Sequence, residues 1–408
     1  MRINTASKYR RRRLVVFSGL TLVLGLIGYL PFTLFAPIAG ITPTVQQYEA
    51  PTLAEPTLDW PSNAATAIGA VGFPGVLASV GTDKPRSIAS ITKVITALVV
   101  LEAHPLPDGA DGPNITFNSQ DARYYHDYLS VGGMVKPAWA GMTLSQREVM
   151  QVMLISSANN YAKSLAVWGF GSEQAFTTAA QAWLTDHGLT STAIHEPSGM
   201  DPRNVSTAAD LLELAKVAVA DPTVSEIVAT PELWVRHVGL VENSNKLLGD
   251  LGIDGIKTGT LDAAGACLLF SADVPVGGST VTLVGVALGG TDHRSQFPQV
   301  RKFLESVADD FHEVVVVSEG DVLASYRTSW GTEAHAVAAA GYSQVVWGVP
   351  EVTAEIAPET LGVAADGTAV GVARFTVNGT VAEVPMSLDG SIEDPGPAWR
   401  LVNPLALG

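Results

Sequence analysis

Residues 14–40 carry no charged side chain, a run of 27 positions. About 20 apolar helical residues cross the hydrocarbon core of a bilayer, so this run constrains the chain more than any other feature. Pro31 and Pro37 fall inside it, which leaves residues 14–30 as its firm helical part. That part is longer than the apolar region of a usual export signal and short for a spanning helix. Pro37-Ile38-Ala39 fits an A-x-A-like cleavage pattern poorly. The reading favours an uncleaved anchor over residues 14–36, ahead of a cleaved export signal or a buried core helix. Arg2, Lys8, Arg10, Arg11, Arg12 and Arg13 precede it with no acid among them. By the positive-inside rule residues 1–13 form a cytoplasmic tail, and the chain after residue 40 lies outside the membrane.

Without that tail, 18 basic residues face 40 acidic ones, a net charge of −22. A general nucleic-acid binder should be basic, so that class is excluded. With 47% hydrophobic and 16% charged residues, the 408-residue chain is not disordered and can bury a sizeable core. A single cysteine excludes an internal disulfide framework and a Cys-based zinc cluster. Cys267 sits in Ala264-Gly265-Ala266-Cys267-Leu268-Leu269-Phe270 and reads as a small packed apolar residue.

Pro43, Pro51, Pro56 and Pro61 punctuate a stalk-like linker over 41–60. Residues 64–80 read as two short strands turned at Gly72-Phe73-Pro74-Gly75. Helices are expected at 91–103, 143–154 (with Thr143 as N-cap), 172–187, 207–219 and 299–311, and a strand at 279–288. From Glu313, short strand-like runs at 313–317, 322–326, 344–347, 352–356, 369–377 and 381–384 make an all-β module.

The chemistry is carried by three short motifs. In Ser90-Ile91-Thr92-Lys93, the Ser and Lys share one helical face if a helix begins there. A Ser hydroxyl needs a base, and Lys is one only when desolvation or a nearby cation lowers its pKa. In Ser157-Ala158-Asn159, a second hydroxyl can relay a proton and an amide can hold a substrate carbonyl. In Lys257-Thr258-Gly259-Thr260, Lys and Thr on a strand can bind a carboxylate, and Gly259 leaves room for substrate backbone. Each alone is a weak signal. Together, in this order and separated by 67 and 100 residues, they are specific.

The chain at this point resembles the serine penicillin-recognising enzymes, most of all the D-alanyl-D-alanine carboxypeptidases of peptidase family S11. Flanking residues strengthen the resemblance: the trailing Thr96, the Glu196-Pro197-Ser198-Gly199-Met200-Asp201 segment, and Asn243-Ser244-Asn245-Lys246 ahead of the third motif. The resemblance covers about residues 60–310. It implies an α/β (α+β) transpeptidase-like domain over 61–311, with helices packed on an antiparallel sheet, then a small all-β domain over 312–408. It also implies roles: Ser90 as acyl-forming nucleophile, Lys93 as its base, and Ser157 between Lys93 and the leaving group. Asn159 orients the substrate amide, Lys257 and Thr258 hold the terminal carboxylate beside Gly259, and the Ser90 and Thr260 N–H groups form an oxyanion hole. The implied substrate is a peptidoglycan stem peptide, with β-lactams as inhibitors.

Three departures touch substrate preference and rate: Asn160 where the family often has Asp, Thr260 where many members have His, and a short stretch before Ser90. No metal or cofactor is implied; the eight His residues are scattered, and Asp292-His293 reads as a surface turn. Asn114-Ile115-Thr116, Asn204-Val205-Ser206 and Asn378-Gly379-Thr380 match a glycosylation pattern that means little in a bacterial host. The rivals are a β-lactamase, a non-catalytic wall-binding protein on the same fold, and an endopeptidase variant. Against the first, none of Glu173, Glu196, Glu213, Glu226, Glu232 and Glu242 begins the Glu-x-x-Leu-Asn pattern of class A enzymes.

Overall fold

The β-branched run at 279–288 extends to Ser279–Gly290 and becomes the central strand of a five-stranded antiparallel sheet. Its order is Ile253–Leu261, Gly265–Val276, Ser279–Gly290, Ala65–Ala70 and Ala78–Val80. This is a computed structural model, describing residues 5–82, 84–107 and 109–407. The chain divides into two compact units: Pro56–His312, and the chain up to Glu55 together with the chain from Glu313 onward.

In the Pro56–His312 unit, helix Thr92–Ala103 has ten of its twelve residues buried, the polar Thr92, Lys93 and Thr96 among them. Such a helix needs neighbours all round, and it packs against the helices Gln146–Ile155, Asn159–Phe170, Glu173–Asp186, Ala208–Ala220 and Pro222–Val228. Helices Ala208–Ala220 and His293–Ala308 lie on the sheet. One hydrophobic core joins sheet and helices, and Cys267 is buried in it.

Three helix boundaries differ from the sequence reading. The N-cap expected at Thr143 is Ser145, whose hydroxyl accepts from the Glu148 N–H (3.1 Å) while the Glu148 carboxylate accepts from the Ser145 N–H (2.7 Å). This reciprocal box fixes the start of the helix, and Thr143–Ser145 pairs as a strand with Asn114–Thr116. The helix expected at 299–311 begins at His293, because the Asp292 carboxylate accepts from the Ser295 N–H at 2.8 Å, and it ends at Ala308. The first helix spans Thr5–Phe35, running through Pro31 rather than stopping before it. Over Lys8–Phe35 its mean hydropathy is 2.1 and its most apolar stretch is exposed, so by length and composition it is compatible with crossing a membrane.

The second unit is built on a six-stranded antiparallel sheet, in the order Thr44–Val45, Val322–Arg327, Glu333–Ala338, Thr380–Asp389, Ala369–Val377 and Val352–Pro358. Strand Glu333–Ala338 escaped the sequence reading, since three of its six residues are Ala and it contains one β-branched residue, Val337. Part of the stretch expected as linker is an edge strand here. Thr44–Val45 pairs with Ala324–Ser325, Ile41 bridges to Leu361, and the Tyr48 ring lies 5.3 Å from Phe375. The short helix Gly396–Val402 packs on the first helix, where the Tyr29 hydroxyl donates to the Leu401 carbonyl at 2.6 Å.

Candidate active site

Ser90 lies in a single 3-10 turn, Ala89–Ile91, that feeds directly into helix Thr92–Ala103. The turn is held from three sides. Ala89 takes φ +44°, and the Thr92 hydroxyl donates back to its carbonyl at 2.8 Å. Gly199, at φ +88°, approaches so closely that a Cβ there would stand 2.0 Å from the Ala89 carbonyl oxygen. Gly259 faces the Ser90 backbone nitrogen, which a Cβ would meet at 2.9 Å. Both positions need glycine for contact distance, and Gly199 for conformation as well.

Lys93, one turn beyond Ser90, is fully buried. Its Nζ donates to Ser90 Oγ (2.9 Å), Asn159 Oδ1 (2.7 Å) and the Ser198 carbonyl (2.5 Å). Burial drives its pKa well below that of an ordinary lysine. The nearby Lys257 charge pushes the same way, and the Glu196 charge opposes both. As a free amine, Lys93 can keep two N–H bonds, to Asn159 and Ser198, and turn its lone pair to the Ser90 hydroxyl.

Asn159 opens helix Asn159–Phe170, and its N–H donates to the Met134 carbonyl at 2.7 Å. The neighbouring Asn160 amide accepts from the Lys136 N–H (3.2 Å) and donates to the Lys136 carbonyl (2.9 Å). The second motif therefore holds the 131–137 loop as one wall of a cleft of about 430 Å³. Ser157, at φ +60°, lines this cleft with Ser90 and Asn159.

The opposite wall is strand Ile253–Leu261, which places Thr258, Gly259 and Thr260 along the cleft. Lys257 is buried behind it, donating to the Thr258 carbonyl at 3.0 Å, and burial lowers its pKa to about 7. Asn245 donates to the Gly255 carbonyl at 2.9 Å, and Asn243 to the carbonyls of Val228 and Thr230, both at 3.1 Å. These buried amides pin the strand's entrance and let Ser244 bond the Thr258 hydroxyl. All the site residues read from the sequence thus converge on one cleft, with Lys93 and Lys257 just beneath it.

One reading is corrected. Asp292-His293 is not a surface turn: it starts a helix, and the half-buried His293 lines the cleft with Nε2 3.1 Å from the Thr260 hydroxyl. Gln296 donates its amide nitrogen to the carbonyls of Ala266 (3.1 Å) and Ala287 (3.2 Å), leaving its oxygen 3.2 Å from His293 Nδ1. Nδ1 therefore carries the proton, Nε2 accepts from Thr260, and burial lowers the imidazole pKa so that it stays neutral. The imidazole absent at position 260 enters from another element, 33 residues away; an Asp at a helix N-cap position was the one signal available. Asn204 is fully buried, accepting from the His195 N–H at 2.7 Å, so that sequon is inaccessible, in keeping with the little weight it carried.

A Ser–Lys pair on one helical turn, a Ser-x-Asn loop and a Lys-Thr-Gly strand around one cleft define a serine hydrolase of the penicillin-recognising class. The D-alanyl-D-alanine carboxypeptidase family, peptidase S11, matches residues 65–289, and the chain belongs to it. It is 33% identical over 239 residues to a D-alanyl-D-alanine endopeptidase of Pseudomonas aeruginosa, covering 57% of this chain and 73% of that one. It is 26% identical over 379 residues to the Escherichia coli D-alanyl-D-alanine carboxypeptidase DacC, covering 85% and 89%. Among solved structures, a peptidoglycan synthesis regulatory factor (PBP3) of Streptococcus pneumoniae superposes with TM-score 0.59 at 20% identity, over 82% of this chain and all of that one. The Streptomyces K15 DD-transpeptidase superposes with TM-score 0.54 at 22% identity, over 62% of this chain and 98% of that one.

Proposed function

We propose that this chain is an exported serine D-Ala-D-Ala carboxypeptidase that trims the terminal D-Ala from peptidoglycan stem peptides. The observation that carries the reading is the fully buried Lys93 amine, 2.9 Å from Ser90 Oγ, with its pKa depressed. In its neutral form Lys93 takes the Ser90 proton while Ser90 Oγ attacks the carbonyl of the penultimate D-Ala. The Ser90 and Thr260 N–H groups receive the oxyanion. The C–N bond breaks, and the proton passes from Lys93 by way of Ser157 to the departing amine. Asn159 orients the substrate amide, and Lys257 with Thr258 holds the terminal carboxylate across from Gly259. Water then hydrolyses the ester on Ser90. A β-lactam should acylate the same oxygen.

Residues 61–311 carry this chemistry, and residues 312–408 form an accessory β module. The apolar first helix supports a single-pass anchor, with the catalytic unit outside the membrane.

The test is intact mass of the full-length chain in detergent after exposure to a penicillin, beside Ser90→Ala, followed by D-Ala release from a pentapeptide and from a cross-linked dimer. A persistent adduct of one drug mass is expected, absent in Ser90→Ala, with D-Ala release falling by at least about three orders of magnitude. Hydrolysed drug without adduct would mean a β-lactamase, intact drug without adduct a binding protein, and faster cleavage of the dimer an endopeptidase.

A further inference from the structure

The segment Glu196-Pro197-Ser198-Gly199 plays no part in the chemistry above, although the Ser198 carbonyl receives Lys93 at 2.5 Å. That carbonyl is held by an unusual arrangement. Oε2 of Glu196 accepts from the Ser198 N–H (2.7 Å) and the Ser198 hydroxyl (2.6 Å). Oε1 accepts from the Gly199 N–H (2.5 Å) and Asn204 Nδ2 (3.1 Å), with the Asp201 N–H at 3.4 Å. The carboxylate thereby closes the 196–199 turn on itself. Asn204 Nδ2 also lies 3.2 Å from the Thr92 hydroxyl, which ties the turn to the start of the Lys93 helix. The Thr96 hydroxyl donates to the Pro197 carbonyl at 2.8 Å, giving a second tie one turn on. The Tyr128 hydroxyl lies against Ser198 and Glu196, and burial keeps it protonated.

We infer that Glu196 is a positioning residue for the catalytic amine: its carboxylate clamps the turn that presents the Ser198 carbonyl to Lys93, and its negative charge counterbalances Lys257 across that amine. The inference rests on Lys93 being the base. The charged and titratable groups around Lys93 are Lys257 from the sheet, Glu196 from the turn and Tyr128 behind them. Burial and Lys257 favour the free amine, and of the charged groups Glu196 favours the ammonium. Burial is the largest cause of the depression, and the two opposing charges adjust it in opposite directions. A carboxylate has about four lone-pair sites, and those of Glu196 are taken by protein donors. It has none left to activate a hydrolytic water, unlike the deacylating Glu of class A β-lactamases.

The experiment measures penicillin acylation of the full-length chain in detergent between pH 5 and 10, for wild type, Glu196→Gln and Glu196→Asp, with a melting curve for each. In parallel, the Lys93 amine is titrated by carbon NMR of lysine-labelled protein, its resonance assigned with Lys93→Arg. Glu196→Gln removes the charge and should move both the acid limb of acylation and the Lys93 titration to lower pH, by about one unit. Glu196→Asp keeps the charge on a shorter arm and should leave both midpoints in place while lowering the acylation rate at least about tenfold. Superimposable titrations of wild type and Glu196→Gln would overturn the inference. So would a Glu196→Gln protein that acylates with an unchanged profile and fails only to release the adduct, which would make Glu196 a base for water. If wild type does not acylate at all, the proposed function fails, and the NMR titration still decides the charge balance on its own.

Discussion

Two lysines are buried in this active site, and burying an ammonium is costly unless it is paired. Among the described residues Lys257 has one hydrogen-bond partner, the Thr258 carbonyl, and burial lowers its pKa to about 7. In the role proposed for Lys257 the protonated form holds the substrate carboxylate, so binding should weaken as pH rises through about 7. The KM of the wild type for pentapeptide should rise above that pH, and steady-state kinetics across pH 6–9 checks this. Stability has the opposite trend. Between about 7 and 10.5 the unfolded chain binds a proton at this site that the folded chain does not, so this residue's effect on stability improves with rising pH in that window and is worst below it. Lys257→Met should therefore raise the melting temperature at pH 6 by about 2–4 °C and by progressively less towards pH 10, while lowering kcat/KM. An equal gain at all pH values would mean that Lys257 stays charged in the fold. His293 belongs to the same scale: it fixes the Thr260 hydroxyl as a donor to its own Nε2, and that hydroxyl is free to donate into the cleft only when the imidazole is protonated, below its ordinary range.

At the scale of elements, the cleft depends on two segments being held in contact with the nucleophile. The first is the 196–199 turn. Gly199→Ala would place a Cβ 2.0 Å from the Ala89 carbonyl oxygen, at a φ that L-residues rarely adopt. The Ala89–Ser90 turn must move, and acylation by penicillin should fall by about two orders of magnitude. The second is the 131–137 loop, tied down by the Asn160 amide. Asn160→Asp keeps the acceptor for the Lys136 N–H but strands the Lys136 carbonyl and buries a charge. Denaturant unfolding should show a loss of about 1–3 kcal/mol. The sequence made the Ser90 helix legible because its apolar residues and the Ser–Lys spacing coincide, and it made the strand at 279–288 legible through its β-branched run. Helix Ser119–Ser130 was hidden because its sequence is mostly polar and exposes most of one side, and the capping box that marks its start lies entirely in Asn118 and Asp121. Strand Gly265–Val276 was read only as apolar, since it is buried along most of its length and lacks the alternation that marks a half-exposed strand. The three motifs were legible as types and spacings. The Glu196 clamp and His293 were not, because each matters only through partners that folding brings from elsewhere in the chain.

At the scale of the whole molecule, the chain order is unusual: Pro56–His312 is inserted, in sequence, between two parts of the other unit. The proline-rich stretch after the first helix therefore does more than span a distance. It contributes the edge strand Thr44–Val45, the Ile41–Leu361 bridge and Tyr48, whose hydroxyl donates to the Val316 carbonyl at 3.0 Å beside the Phe375 ring. A chain beginning at Pro56 retains every residue of the catalytic cleft but lacks all of these. Losing the partly buried Tyr48 and its aromatic contact alone removes on the order of 2 kcal/mol from the C-terminal unit. In a unit of this size that lowers the melting temperature by roughly 10 °C. A chain beginning at Gly40 keeps the strand and the tyrosine, loses only the contacts of helix Gly396–Val402 with the first helix, as the chain from Pro56 also does, and is therefore the reference. Scanning calorimetry of the two truncated chains, with penicillin acylation measured on each, separates the consequences. The chain from Pro56 should acylate at the rate of the chain from Gly40 while its C-terminal unit melts earlier. If both melt alike, residues 40–55 are a tether after all, and the edge strand contributes nothing to the stability of the sheet it joins.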